Sequence, residues 1–334
     1  MVKVAIIGGG FMGTTHAKGY KNIGVEIVAI ADIDKNAKEN FVKTYNCKGF
    51  DSAEEMLKEI HNDIDFIDVC IPTYQHEEMV LLATKYNKHV LSEKPFALTL
   101  EAIDNMLEAT EKSGSIFMIG QVLHFWPEYA KIKEWVEEGI FGEIKLATAV
   151  RLGQHPVSEW YGDPKKSGGG IYDLHVHDID FLCYLFGDVN EVYATGKKAR
   201  NDSWNFVDSV LKFKNGVNAT AQAAFGITDD YPFSMNLRIV GEKATAEFSF
   251  SAGFNLEDIS SAKNSLILYR NGMKPHQEPQ SVRDPYEIEI EYFSKCVEEN
   301  KQPEIVKPKE VKKSISVILG LIKSLETGKV VEIV

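Results

Sequence analysis

Lys3-Val4-Ala5-Ile6-Ile7 runs directly into Gly8-Gly9-Gly10-Phe11-Met12-Gly13, and an amphipathic segment follows. A short apolar run bounded by glycines reads as a buried strand, and Gly8-x-Gly10-x-x-Gly13 as the turn from that strand into a helix. Glycines meet this spacing easily by chance, so the setting carries the weight. Gly8 permits the tight turn, Gly10 lets the main chain approach a pyrophosphate, and Gly13 lets helix and strand pack closely. The helix start, with Phe11 and Met12 in its first turn, offers amides and a positive dipole end to phosphate oxygens. Asp32 ends the next apolar run, where a carboxylate accepts from a ribose 2′-hydroxyl and repels a 2′-phosphate. NAD is therefore expected in preference to NADP, with Lys35 nearby keeping NADP open. The competing reading is a plain structural turn with Asp32 capping a helix that begins near Asp34. The coincidence of strand, glycines, helix and acid weighs against it.

Outward from this turn, Val/Ile-rich runs alternate with amphipathic stretches as far as residue 121, the pattern of parallel strands joined by crossover helices. Strands are predicted at Lys3 to Ile7, Val25 to Ala31, Lys48 to Phe50, Asp65 to Ile71, His89 to Ser92 and Ile116 to Ile119. Ser52 precedes Glu55 by three residues, a capping box that fixes one helix start. After Gln121 the runs lengthen, alternate and become β-branched: Glu143 to Arg151, Val192 to Ala199, Val207 to Phe213, Val217 to Ala224, Ser234 to Ile239 and Ala244 to Phe250. They predict an antiparallel sheet, with Asn215-Gly216 as a hairpin turn and Gly241-Glu242-Lys243 as another. Helices are predicted at Pro285 to Asn300 and Lys309 to Thr327. The expected architecture is α/β: a doubly wound Rossmann domain over residues 1–121, and an α+β domain with a large, mainly antiparallel sheet over residues 122–334.

A chain of 334 residues, 44% apolar and 26% charged, supports two ordinary cores. The net charge of −12 provides no basic surplus for nucleic acid or an anionic membrane. Cys47, Cys70, Cys183 and Cys296 lack metal-site or redox spacing and read as reduced core thiols. No secretory or membrane-spanning segment is evident, and a cytoplasmic location is expected.

Two further clusters carry chemistry: Ser92-Glu93-Lys94-Pro95 at the end of the fifth strand, and Gly168-Gly169-Gly170-Ile171-Tyr172-Asp173-Leu174-His175-Val176-His177-Asp178. Ligands of open parallel sheets lie beyond the carboxyl ends of the strands, so Lys94 is expected to face the cofactor crevice. If the stretch after Gly170 is helical, Asp173 and His177 share one face and His175 points elsewhere. These clusters, the glycine turn, Ile71-Pro72-Thr73-Tyr74-Gln75-His76, Phe125-x-Pro127 and Gly139-Ile140-Phe141-Gly142-Glu143-Ile144 together resemble the Gfo/Idh/MocA family, named for glucose-fructose oxidoreductase and inositol dehydrogenase. The resemblance covers nearly the whole chain. It implies Lys94, Asp173 and His177 as a catalytic triad, with Ile71, Pro72, Thr73, His76, Glu93 and Gln121 lining the cofactor and a cis Lys94–Pro95 bond. Chemistry agrees: oxidising a secondary alcohol needs a base for the hydroxyl proton, which His177 suits. Asp173 would orient the imidazole, and the Lys94 ammonium would stabilise developing alkoxide.

Where the family commonly shows Asn-x-Arg-Phe, this chain reads Gln121-Val122-Leu123-His124-Phe125, so His124 replaces a substrate-side arginine. His155, Trp160, Tyr172 and Tyr286 are further substrate candidates, although aromatic residues in such places often only close interfaces. Phe225, Phe248 and Phe250 read as core. Asp173, His175, His177 and Asp178 point around a helix, and no metal is expected. The predicted activity is hydride transfer between a nicotinamide and a sugar, inositol or related polyol. The alternatives are a redox-neutral epimerase or glycosidase that uses NAD transiently, and a nucleotide-binding sensor without chemistry. A sheet face without helices needs a cover, so a homo-oligomer is expected, and the resemblance implies a homodimer or homotetramer.

Overall fold

The computed structural model describes residues 2–155, 158–228, 230–252 and 262–333. They form two compact units, Met1–Trp126 with Arg283–Lys312 and Pro127–Val282 with Lys313–Val334. The sequence reading placed everything after residue 121 in the second half. The chain instead returns late to complete the first unit.

In that unit β1 (Lys3–Ile7), α1 (Phe11–Ile23), β2 (Glu26–Ala31), α2 (Lys35–Tyr45), β3 (Lys48–Phe50), α3 (Ala53–Ile60), β4 (Phe66–Val69), α4 (His76–Lys85), β5 (His89–Glu93), α5 (Leu100–Ser113) and β6 (Phe117–Gly120) alternate. The strands form one sheet in the order β3-β2-β1-β4-β5-β6, with every neighbouring pair parallel. β4 and β6 are buried at every position, because a parallel sheet covered on both faces needs apolar residues throughout. The Ser52 hydroxyl accepts the Glu55 amide at 3.1 Å and caps α3, as the sequence predicts. Strand order reverses between β1 and β4, and ligands of such sheets bind at that switch.

The second unit holds α6 (Pro127–Glu137), β7 (Ile144–Gly153), α7 (Pro164–Ser167), α8 (Val176–Phe186), β8 (Val189–Lys198), β9 (Trp204–Phe213), β10 (Asn218–Phe225), β11 (Ser234–Gly241), β12 (Ala244–Ser251), β13 (Lys263–Arg270) and β14 (His276–Gln277). α9 (Pro285–Glu299) belongs to the first unit, α10 (Pro308–Thr327) begins in the first and continues in the second, and β15 (Val331–Glu332) ends the second. The described strands pair in the order β14-β13-β12-β11-β7-β10-β9-β8-β15, antiparallel except for β7 with β10. Buried and exposed positions alternate along β9 and β10, the signature of a sheet with one face on a core. Phe225, Phe248 and Phe250 are buried, as expected.

α9 packs on α1 in the first unit. A Cβ on Gly19 would lie 2.5 Å from Ile290 Cδ1, and Phe293 meets the Phe66 ring edge-on at 5.3 Å between centroids. Two local predictions need correction. The β9–β10 hairpin forms at Asn215-Gly216, yet only Gly216 has positive φ (+91°), while the Asn215 side chain accepts the Val217 amide at 3.1 Å. The loop is closed by the Phe213 amide on the Val217 carbonyl, so a wider turn replaces the two-residue one. Gly241 likewise turns without positive φ; its space is taken by the Phe141 carbonyl, 2.3 Å from where a Cβ would sit. No helix among the described residues is long and apolar enough to cross a membrane.

Candidate active site

The glycine turn is built by close approach. Gly8 has φ +97°, and a Cβ there would lie 2.3 Å from the Cys70 carbonyl oxygen of the neighbouring strand end. A Cβ on Gly13 would lie 1.9 Å from the Gly8 carbonyl oxygen, so α1 starts directly on the end of β1. Gly10 is different: nothing lies within 4 Å of its Cβ position, and its main chain faces open space at the helix start. Asp32 accepts the Gly9 amide at 2.6 Å and the Asp34 amide at 2.7 Å, one on each oxygen. Each oxygen keeps a further lone pair for a hydroxyl. The cap of α2 is Asp34, which accepts from Asn36 and Ala37; Asp32 instead ties the glycine turn to β2. Phe11 is exposed, Met12 is half-buried and Lys35 pairs with Glu39 at 3.7 Å. An open cradle of amides beside a carboxylate at the end of β2 fits a dinucleotide with a free ribose hydroxyl.

At the carboxyl ends of β4 and β5, Ile71 and Pro72 are half-buried and Thr73 is buried. His76 is wholly buried, with Nδ1 3.0 Å from the Pro95 carbonyl and Nε2 2.9 Å from the Ile71 carbonyl. It braces the two loops and presents neither ring nitrogen to a ligand, which corrects its assignment as a cofactor contact. Burial lowers its pKa against the opposing pull of those carbonyls and of Glu93. Glu93 is buried, and its Oε2 accepts the Lys94 amide at 2.9 Å. The Lys94–Pro95 bond is cis. Gln121, after β6, is buried, and its side-chain nitrogen has no hydrogen-bond partner among the described residues.

In the second unit the glycine run lets the chain enter its helix against β9 and β10. Gly169 has φ +73°, and a Cβ on it would lie 2.7 Å from Ser203; on Gly170 it would lie 2.7 Å from Phe225. The Gly170 amide donates to Asn205 Oδ1 at 2.9 Å. Ile171–His175 then form a π-helical turn before α8, a widened turn frequent at functional sites. Asp173 is buried and His177 half-buried. Asp173 stands in the π-helical turn and His177 in the first turn of α8, four residues on. His175 lies elsewhere, with Nε2 2.9 Å from Ser209 Oγ. Because the Ser209 hydroxyl donates to the Ala221 carbonyl, its oxygen accepts, and His175 must carry its proton on Nε2. Burial, and secondarily the Arg151 charge, lower the His175 pKa to about 3; it is a neutral structural residue.

Tyr172 is buried under Gly168. Trp160 stacks on Tyr161 at 3.8 Å between centroids, and exposed His155 lies 5.1 Å from the Phe225 ring. Two of the substrate candidates belong to the first unit instead: His124 is buried after β6, and Tyr286 opens α9 with its ring 6.1 Å from that of His16. Sequence reasoning missed Arg151, whose guanidinium makes a buried two-bond pair with Asp178 at 2.8 and 3.0 Å. That pair pins the start of α8 to β7. An arginine facing inward on an alternating strand was the available signal. Also missed was a buried set around His16, Asp68 and Cys70, whose ligand-type atoms lie within 4.8 Å of one another.

Residues 2–121 match the oxidoreductase family with NAD-binding Rossmann fold, Gfo/Idh/MocA. Residues 129–247 match the C-terminal domain of the same family. The chain is 28% identical to myo-inositol 2-dehydrogenase of Thermotoga maritima over 99% of this chain and 98% of that one. It is 26% identical to scyllo-inositol 2-dehydrogenase (NAD(+)) of Bacillus subtilis over 90% and 88%. The fold also matches a crystal structure of aldose-aldose oxidoreductase from Caulobacter crescentus complexed with glycerol, at TM-score 0.85 and 19% identity over 99% of each chain. With residues 2–121 and 129–247 matched by its two models and the dinucleotide cradle in place, this chain belongs to the Gfo/Idh/MocA family of NAD-binding oxidoreductases.

Proposed function

We propose that the protein oxidises a secondary alcohol of an inositol, sugar or related polyol, or reduces the corresponding ketone, using Lys94, Asp173 and His177. The observation that carries this reading is the position of Lys94. It directly follows β5, one strand beyond β4, at the carboxyl edge of the sheet on which the glycine turn opens. Strand spacing of about 4.8 Å puts the ends of β1 and β5 roughly 10 Å apart, the reach of a nucleotide. Nicotinamide, when bound, takes up the hydride. The residues then have the remaining work. His177 accepts the hydroxyl proton through its imidazole, Asp173 orients that ring, and the Lys94 ammonium donates to the oxygen as negative charge grows. In reduction the imidazolium of His177 returns the proton. The two inositol dehydrogenase relatives support a cyclic polyol as substrate.

The test is a panel of inositols, sugars and their keto forms, read at 340 nm with NAD or NADH. Lys94→Ala should lower kcat at least about 100-fold with NADH affinity kept within a few-fold. Undiminished turnover in that variant overturns the assignment, and NAD held through turnover without net absorbance change selects the redox-neutral cycle. A second copy of the chain completes the reading. On the open face of the nine-stranded sheet, Leu146, Tyr193 and Val210 are 43, 39 and 46% exposed, apolar surface that a second copy would cover. Light scattering should give a dimer or tetramer, and charges at Leu146 and Val210 should dissociate it.

A further inference from the structure

Beneath the glycine turn, α1, β4, β5 and α9 enclose a knot of ionisable side chains, and apart from Glu93 none of them has a place in the reading of hydride transfer or cofactor binding. His16, Tyr20, Asp68 and Glu289 are fully buried, and Glu93 is 5% exposed. His16 stands between two carboxylates on adjacent strands. Its Nδ1 lies 2.8 Å from Asp68 Oδ2, and its Nε2 lies 3.2 Å from Glu93 Oε1, an ion-pair contact oblique to the N–H direction. Tyr20 donates to Asp68 Oδ2 at 2.9 Å and the Cys70 thiol to Asp68 Oδ1 at 3.3 Å. The second oxygen of Glu93 accepts the Lys94 amide. Two contacts therefore lead from the His16 ring to the main chain of Lys94.

We propose that His16 is a positioning residue: as an imidazolium it holds Asp68 and Glu93 side by side, and through Glu93 it fixes the main chain from which Lys94 is presented. The inference rests on the reading of Lys94 as the group that binds the reacting oxygen. Carboxylates only accept, so a ring with one beside each nitrogen, hydrogen-bonded at Nδ1 and in ion-pair contact at Nε2, escapes lone-pair repulsion only when both nitrogens carry protons. A neutral ring would set a lone pair against a buried carboxylate, where solvent does not screen the repulsion. Burial by itself lowers the His16 pKa, but the charge and hydrogen bond of Asp68, with Cys70, outweigh it and raise the pKa well above the ordinary value. The groups facing His16 are Tyr20 on its own helix, Asp68 and Cys70 from β4 and its end, Glu93 from β5, and Tyr286 and Glu289 from α9. Both carboxyl oxygens of Glu289 lack hydrogen-bond partners among the described residues. Burial, then the Glu93 carboxylate, push its pKa well up, which disfavours a third charge beside the ring and leaves the imidazolium to Asp68 and Glu93.

Two measurements test this without a known substrate. In protein labelled with 15N-histidine, the His16 ring should show both nitrogens protonated at pH 8, where an ordinary histidine is neutral. In reductively 13C-methylated protein, the chemical shift of the Lys94 resonance should move in His16→Gln and in Glu93→Gln relative to wild type. A neutral His16 ring, an unmoved Lys94 resonance in a folded variant, or stoichiometric zinc held by His16, Asp68 and Cys70 overturns the proposal. Once a substrate is found, His16→Gln should lower kcat about tenfold or more while KM for NAD changes less than about twofold. Loss of turnover in Lys94→Ala but not in His16→Gln refutes the positioning role and leaves Lys94 its own. Full turnover in Lys94→Ala refutes the reading beneath both. Glu93→Gln keeps an acceptor for the Lys94 amide and serves if His16→Gln fails to fold.

Discussion

Replacing Gly13 and Gly10 by alanine separates what the glycine turn does for the fold from what it does for the cofactor. A methyl on Gly13 would sit 1.9 Å from the Gly8 carbonyl oxygen, whereas real Cβ contacts stay beyond 3.0 Å; the two groups must part by 3.0 − 1.9 = 1.1 Å. Gly8 cannot yield, because its amide is bonded to the Ala31 carbonyl at 2.9 Å and its own Cβ direction is closed by the Cys70 carbonyl. α1 must move instead. Overpacking of that kind costs about 1–3 kcal/mol, and each amide drawn away from a charged phosphate costs about 1.5–3 kcal/mol more of binding. Gly13→Ala should therefore lower Tm by several degrees and weaken NADH at least about tenfold. Gly10 has φ −71° and open space around it, so alanine there should leave Tm unchanged and still weaken NADH by occupying the place of the pyrophosphate. Thermal melts and titration of NADH fluorescence decide it. Tight NADH binding by Gly10→Ala would refute the placement of the cofactor; an unaltered melt for Gly13→Ala would refute the packing argument.

Asp32→Ala removes a carboxylate that holds two main-chain amides, so NAD affinity should drop about tenfold or more while NADP affinity holds or improves; the ratio of the two dissociation constants is the measurement. Asp178→Ala removes the carboxylate that pairs with the buried Arg151 guanidinium and should cost about 3–5 kcal/mol in urea unfolding. The His175 pKa, depressed to about 3 when folded, makes stability complete above the unfolded value near 6.5 and lost as pH falls toward 3. Its share of the loss is about 2 kcal/mol between pH 6.5 and 5. His175→Gln should lose that much less across the same interval, and equal losses would show that the ring is already charged in the fold.

The first eleven positions of the motif were legible because a buried strand, a glycine turn and a helix start each leave local traces. Asp32 and Lys94 were legible for the same reason, their places being fixed by strand ends. What escaped was set by distant partners. β13 and β15 take their place from pairing with β12 and β8, and the π-helical turn at Ile171–His175 depends on how Gly169 and Gly170 meet β9 and β10. His16, Asp68 and Glu93 are scattered along the chain, yet Asp68 lies between Ile67 and Val69 in a strand buried at every position. A lone acid in such a run was the trace of the hidden cluster. Glu289 gave less away, because its alternation with Glu287 and Glu291 looks like a solvated helix.

The lodging of Ile290 against Gly19 also sets an order of assembly. A growing chain releases all six parallel strands long before α9 exists, and during that interval the face of α1 that carries Gly19, and the Phe66 ring beside it, have no lid. A fragment ending at Trp126 is thus a sheet awaiting its last helix, and nascent chains of that length are the ones chaperones should recognise.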